Sequence, residues 1–421
     1  MASATEPGSS GKPQGRDGDG RSRDFARRLR ELPAAAPLRD VLDDDPRVHV
    51  VGGAVRDLLL GERPLDLDLV VEGDVVAVAS RLADGLGGVL HVHDRFGTAT
   101  VTAGGSSYDL VRARAETYAR PGALPDVRPG TLAEDLRRRD FTVNAIAVSL
   151  DGRFETVPEA FDDLAARRLR VLHDASFRDD PTRLLRLVRY ATRLGFAVEP
   201  ATARLAAEAV ADGALGTVTG PRIGGELRLL LREPGVDEAL AWVASWGGGD
   251  ALVAGLSYDT ELAGAALRLL PGDGRPDLLR LAVAGGGVGG RLLGRWLDEL
   301  GFAARERDTV VGAARGAQAA AERLAVAGAP PSAIADALRG ATPELAALAG
   351  AVGSADAEAA ARRWLDELRH VRLAIDGDDL RAAGVPQGEA IGRALAAALR
   401  AKLDGDAVGP EAELAAGLAG V

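Results

Sequence analysis

The sequence predicts an α+β chain, with a mixed sheet and flanking helices at the N-terminal end followed by an all-α remainder. Three observations carry this. Short apolar runs such as Val48–Val51 and Leu69–Val71 read as buried strands. The segments between such runs read as helices with glycine stops. Beyond Asp162 the strand signals give way to long Ala/Leu/Arg stretches broken by Gly and Pro. At 421 residues the chain exceeds one ordinary core and implies more than one domain.

Taken in order, residues 1–23 are rich in Gly, Ser and charge and are expected to be disordered. A head domain is expected over 24–162, a helical neck over 163–240, and a helical body and tail over 241–421. Within the head, an amphipathic helix over Phe25 to Leu32 leads into the strand Val48–Val51. Gly52 and Gly53 turn the chain into a helix, Ala54 to Leu60, which Gly61 ends. Asp66 to Val71 returns as a strand and Asp74 to Leu86 as a helix. Val89–His93, Thr98–Thr102 and Tyr108–Arg112 follow as strands. From Arg112 to about Leu132 the pattern breaks into a polar segment with Pro121, Pro125 and Pro129, and a loop of that length in a compact domain is functional or mobile. Regularity resumes at Leu132–Arg138 and Asn144–Leu150.

Composition narrows the function. There is no cysteine, which excludes disulfides, thiolate metal sites and a cysteine nucleophile. No signal-peptide core or long uncharged apolar stretch occurs, so a protein of the cytoplasm with no membrane partner is expected. The net charge of −11 argues against a globally basic nucleic-acid binder, yet Lys12 and Lys402 are the only lysines. Nearly all positive charge is therefore arginine, whose planar fork suits phosphates and base edges. A coding bias explains the overall count better than it explains the local clusters. The five histidines show no metal-ligand spacing, and the four tryptophans suit core packing.

The chemistry centres on Asp66 and Asp68. Two apart on a strand, they project from one face, and unpaired carboxylates that close resist ionisation unless a cation lies between them. A hard ion such as Mg²⁺ prefers oxygen ligands and keeps water and phosphate in its remaining positions. Asp109, mid-strand in Ser107-Tyr108-Asp109-Leu110-Val111, is a third carboxylate. Assistance in deprotonating a hydroxyl and a salt bridge to Arg112 or Arg114 are both open to it. Gly52 and Gly53 lead straight into a helix start, a natural anion site, and Arg56 lies one turn in, where it can reach a triphosphate.

The run Arg137-Arg138-Arg139-Asp140-Phe141-Thr142-Val143-Asn144-Ala145-Ile146-Ala147 adds a family resemblance. Together, GGAVRDLLLG with DLD at 52–68, RRDFTVNAIA at 138–147 and DDPTRLLRLVRYATRLGF at 179–196 resemble the class II tRNA nucleotidyltransferases and poly(A) polymerases of the polymerase β superfamily. The resemblance implies a polymerase-β-like nucleotidyltransferase head followed by an all-α neck, body and tail. It implies catalytic metal on Asp66 and Asp68, triphosphate contacts from Gly52, Gly53 and Arg56, and ribose reading by Arg139 and Asp140 with Asn144 in support. Asp180 and Arg183 fall where the family pairs with the edge of the incoming base; a helix-start role for the same two residues is compatible with that. Arg186, Arg189 and Arg193 continue at helical spacing and suggest a basic face on RNA backbone.

The reaction so implied is template-independent, Mg²⁺-dependent addition of nucleotides from CTP and ATP to the tRNA 3′ end, completing CCA. Addition of A alone, of CC alone, and polyadenylation remain open within the motifs. The segment ETYARPGALPDV at 116–127 looks more like the subgroup with A-adding enzymes. A catalytically silent RNA-binding relative fits poorly with retention of all three aspartates.

Overall fold

The computed structural model describes residues 24–29, 31–42, 45–64, 66–93 and 97–421. The expected tail over 1–23 lies outside the described residues. The chain divides into two units, Met1–Arg183 with Gly195–Ala206, and Leu184–Leu194 with Ala207–Val421. The expected head boundary at residue 162 falls inside the first unit. Among the described residues no helix is long and apolar enough to cross a membrane.

The first unit opens with a helical stretch, residues 24–29, and helix α1, Ala35–Leu42. Strand β1, Val48–Val51, is buried throughout, as four apolar or half-apolar residues in a central strand must be. Helix α2, Gly53–Leu59, follows the glycine turn, and β2, Leu67–Val71, exposes Asp68 alone of its five residues. Helix α3, Val75–Leu86, starts at Asp74, whose side chain accepts the Ala77 N–H, and stops at Gly87 in the left-handed region. It buries Val75, Val78, Ala79 and Leu82, the 3–4 spacing of an apolar stripe.

Strands β3, Val89–His93, β4, Thr98–Ala103, and β5, Ser106–Arg112, continue the unit. A seven-stranded sheet runs in the order β3-β4-β5-β2-β1-β8-β9, with β8 at Ile146–Ser149 and β9 at Phe154–Thr156. Only β2 and β5 pair in parallel; the other neighbours are antiparallel.

The segment expected as a loop between Arg112 and Leu132 is instead largely a hairpin. Strands β6, Arg114–Thr117, and β7, Asp126–Pro129, pair antiparallel. Its prolines are compatible with this because Pro121 and Pro125 fall in the connection and Pro129 ends its strand, where a missing N–H costs least. Helix α4, Leu132–Arg137, then begins with a reciprocal capping box between Thr131 and Glu134. Helices α5, Ala160–Ala165, and α6, Ser176–Asp179, precede α7, Thr182–Leu194.

The second unit is helical. One core gathers Leu269, Leu324, Ile334 and Leu365 with many alanines and Trp364, and a smaller one holds Ile375, Leu380, Val385, Ala394 and Ala398 in the tail. Trp296 and Trp364 are buried, in keeping with packing, while Trp242 and Trp246 are half-buried with ring centroids 6.1 Å apart.

Candidate active site

Strand register brings the predicted carboxylates together. In the parallel β2–β5 pair Asp68 stands opposite Asp109, so both side chains leave the same face of the sheet. Asp66, two residues before Asp68, is exposed just ahead of the strand. Asp109 makes no ion pair among the described residues; Thr100 on β4 donates its hydroxyl to Asp109 Oδ1 at 2.7 Å, and Arg114 instead pairs with Glu116 at 2.9 Å. The tip of Asp68 reaches solvent, yet the surrounding protein strips part of its hydration, and this raises its pKa. Arg139 pulls in the opposite direction, and the charges of Asp109 and Asp66 push upward again.

Among the described residues, no three His, Cys, Asp or Glu side chains are gathered closely enough to hold a metal on their own. The oxygen-only donor set and the raised pKa of Asp68 nevertheless fit a hard divalent cation that takes a few carboxylate oxygens and completes its shell with water and phosphate.

The glycine turn lies beside this pair. The β1–β2 register of Val50 with Leu69 carries the end of β1, and hence Gly52, toward the start of β2. Gly52 has φ +70°, and a Cβ there would lie 2.9 Å from Arg139 Nη1. Only glycine suits both the backbone conformation and the close guanidinium. Arg139 is held from behind by Asp135 at 2.9 Å, and Asp135 also pairs with Arg138 at 2.7 Å.

Arg56 lies behind the turn. It is 1% exposed, pairs with Asp57 at 2.7 Å and donates from Nη1 to Asn144 Oδ1 at 2.5 Å. In this geometry its guanidinium braces the turn from inside the protein. Asn144 donates in turn to Asp140 Oδ1 at 2.9 Å, and Asp140, 6% exposed, also accepts the Phe141 N–H. The chain Asp57, Arg56, Asn144, Asp140 thus ties the glycine turn to the RRD segment. Of the two residues expected to read ribose, Arg139 lies at the turn, whereas Asp140 is buried in this bracing network.

Asp180 and Arg183 lie at the start of α7. Asp180 accepts the Thr182 N–H at 3.1 Å and its hydroxyl at 2.6 Å, the helix-start role that its position allows. Arg183, 5% exposed, donates to Ser176 Oγ at 2.7 Å and to the Arg138 carbonyl at 2.6 Å. It nonetheless lines a cleft of about 230 Å³ with Glu116, Tyr118, Arg138, His173 and Asp179. Burial and then Glu116 push the Tyr118 phenol up to about 12, and burial followed by Arg183 pushes the His173 imidazole down.

The arginines expected to form a basic face on α7 are engaged by acids of the second unit. Arg189 is 6% exposed and pairs with Glu226 and Glu233, each at 3.3 Å; Arg186 pairs with Glu226 at 2.9 Å, and Arg193 lies 3.8 Å from Glu233. Both Arg186 and Arg189 also lie over the Tyr190 ring. Arg189 is thus buried in ion pairs within the second unit, while Arg186 and Arg193 keep part of their side chains exposed beside the same glutamates.

Residues 48–170 match the poly A polymerase head domain, a stretch containing the glycine turn, all three aspartates and the RRD segment. A solved structure of the Thermotoga maritima CCA-adding enzyme complexed with tRNA_CCA is 30% identical, with a TM-score of 0.78, and the match covers 94% of this chain and 98% of that one. The chain belongs to the class II tRNA nucleotidyltransferase and poly(A) polymerase family. Among curated members, an A-adding tRNA nucleotidyltransferase of Halalkalibacterium halodurans is 45% identical over 44% of this chain and 45% of its own length. A CC-adding tRNA nucleotidyltransferase of Deinococcus radiodurans is 46% identical over 49% of this chain and 56% of its own. The chain thus spans about half the length of these curated relatives.

Sequence reasoning missed three supporting residues of this family member. Asp135, holding two arginines, is legible in the Glu-Asp-Leu-Arg-Arg-Arg run as an acid three and four residues before them. Glu116 joins Arg114 and Tyr118, each two residues away, to the distant Arg138, and Thr100 meets Asp109 on another strand; the long-range contacts have no local signal.

Proposed function

We propose that the chain adds nucleotides without a template to the 3′ end of tRNA, drawing on CTP and ATP and completing CCA in the cytoplasm. The observation that carries the reading is the register of Asp68 with Asp109, set beside the Arg139-backed turn at Gly52. A divalent cation, Mg²⁺ on chemical grounds, held by Asp66 and Asp68, would supply charge stabilisation at the reacting phosphate. The turn and Arg139 bind and orient the triphosphate. Asp109 takes the proton of the terminal 3′-hydroxyl, whose oxygen forms the new bond to the α-phosphorus as pyrophosphate leaves. Arg183 and Asp180 read the base edge, after Arg183 exchanges its bond to the Arg138 carbonyl for one to the nucleotide.

Addition of A alone is the rival reading, favoured by the ETYARPGALPDV segment, whose Glu116 and Tyr118 line the cleft with Arg183. Incubation of the protein and Mg²⁺ with tRNA ending before CCA, after C or after CC, with one labelled nucleotide at a time, separates the two. Incorporation of both C and A supports CCA addition; A alone on the CC-ended tRNA replaces it with the rival. No transfer to any RNA overturns both, and Asp68→Ala is expected to abolish transfer.

A further inference from the structure

We propose that Thr100 is a positioning residue for this transfer, its hydroxyl fixing the Asp109 carboxylate in the orientation that faces Asp68. The inference rests on the reading above. Antiparallel pairing sets Thr100 opposite Asp109, and parallel pairing sets Asp109 opposite Asp68, so the three side chains form one row across three adjacent strands on one face. On β4 the alternation of Thr98, Thr100 and Thr102 with Ala99, Val101 and Ala103 sends three hydroxyls to that face. Of these three, Thr98 stands opposite Val111 and Thr102 opposite Ser107; Thr100 alone meets a carboxylate.

The chemistry of the donor matters more than its presence. Asp57, Asp135 and Glu116, the acids that brace the surrounding structure, are each held by arginine. Asp109 is held by a neutral hydroxyl at 2.7 Å. A neutral donor orients a carboxylate without cancelling its charge, and it occupies one oxygen while leaving the other to act. Threonine also has a restricted χ1, so the hydroxyl it offers is already aimed.

The test measures steady-state transfer of CMP from CTP to tRNA ending before CCA, together with Mn²⁺ titration of the tRNA-free protein. Thr100→Val, which keeps the shape and removes the donor, is expected to lower kcat by about ten- to a hundredfold with KM for CTP within about twofold. Mn²⁺ binding, which falls to Asp66 and Asp68, is expected to stay within about twofold. Thr100→Ser should recover most of kcat, and Thr98→Val, on the same face but opposite Val111, should match wild type. Wild-type kcat in Thr100→Val overturns the proposal. So does an equal loss in Thr98→Val, or a failure of Thr100→Ser to rescue, since either marks a role in the strand alone. If instead the wild type transfers nothing, or Asp68→Ala is as active as wild type, the functional reading fails and this inference falls with it.

Discussion

Asp68→Asn removes one charge from a crowded row and should make the folded protein more stable while abolishing transfer. Paired strands lie about 4.8 Å apart. Two unit charges at that spacing repel by about 0.9 kcal/mol in water and about 3.5 kcal/mol at an effective dielectric of 20. Asp68 reaches solvent and Arg139 offsets part of the repulsion, so the lower figure applies, about 1 kcal/mol. For a unit of about 200 residues that corresponds to a rise in Tm of roughly 2–4 °C. The sign follows from linkage: a carboxyl with a raised folded pKa favours the folded state below its unfolded pKa and loses that contribution as pH rises through the folded pKa. Calorimetry at pH 7.5 in EDTA should therefore show the first unit's transition move upward in Asp68→Asn. Added Mg²⁺ should raise the wild-type transition and affect the variant less. A fall in Tm for Asp68→Asn in EDTA would refute the reasoning, because the attraction of Arg139 would then outweigh the repulsion.

Three other outcomes follow from the bracing network and the sheet. Arg56→Met removes a buried guanidinium that pairs with Asp57 and donates to Asn144, and it should cost about 3–5 kcal/mol in urea unfolding, far more than loss of a surface phosphate contact. Gly52→Ala strains a backbone at φ +70° and displaces Arg139, so transfer should fall at least about tenfold while the strain costs only about 1–2 kcal/mol of stability. His49 is buried, its Nδ1 has no partner, and burial lowers its pKa. The unfolded chain therefore takes up the proton first as pH falls below about 6.5. Stability is lost there with a slope of at most about 1.4 kcal/mol per pH unit, and thermal scans from pH 7.5 to 5.5 should show a shallower decline in His49→Gln.

The elements that were legible are those whose signal is local. The periodicity of Val89–His93 and the cap-to-glycine span of Asp74 to Gly87 place their elements correctly. The β6–β7 hairpin was not legible because prolines argue against strands, and only the pairing shows that they sit at strand ends and in the turn. Spacing found Asp66, Asp68 and Asp109 as candidates, but their neighbourhood depends on a pairing that no local pattern encodes. Arg56 and Arg189 show the same limit. Helical position tells which way a side chain leaves its helix, whereas Asn144, which accepts from Arg56, and Glu226 and Glu233, which pair with Arg189, lie far along the sequence; only Asp57, the other partner of Arg56, is a sequence neighbour.

The parallel pairing of β2 with β5 also governs when the active site comes into being. An antiparallel neighbour can form by a tight turn, but β5 reaches β2 only after α3, β3 and β4 have filled the crossover, residues 72–105. On a growing chain Asp68 waits for Asp109 through all of that synthesis, and the docking of β5 brings like charge against like. Repulsion then opposes the closing step itself. A cation present at that moment would favour assembly, so an ion drawn between these carboxylates would also speed the folding of the row that attracts it.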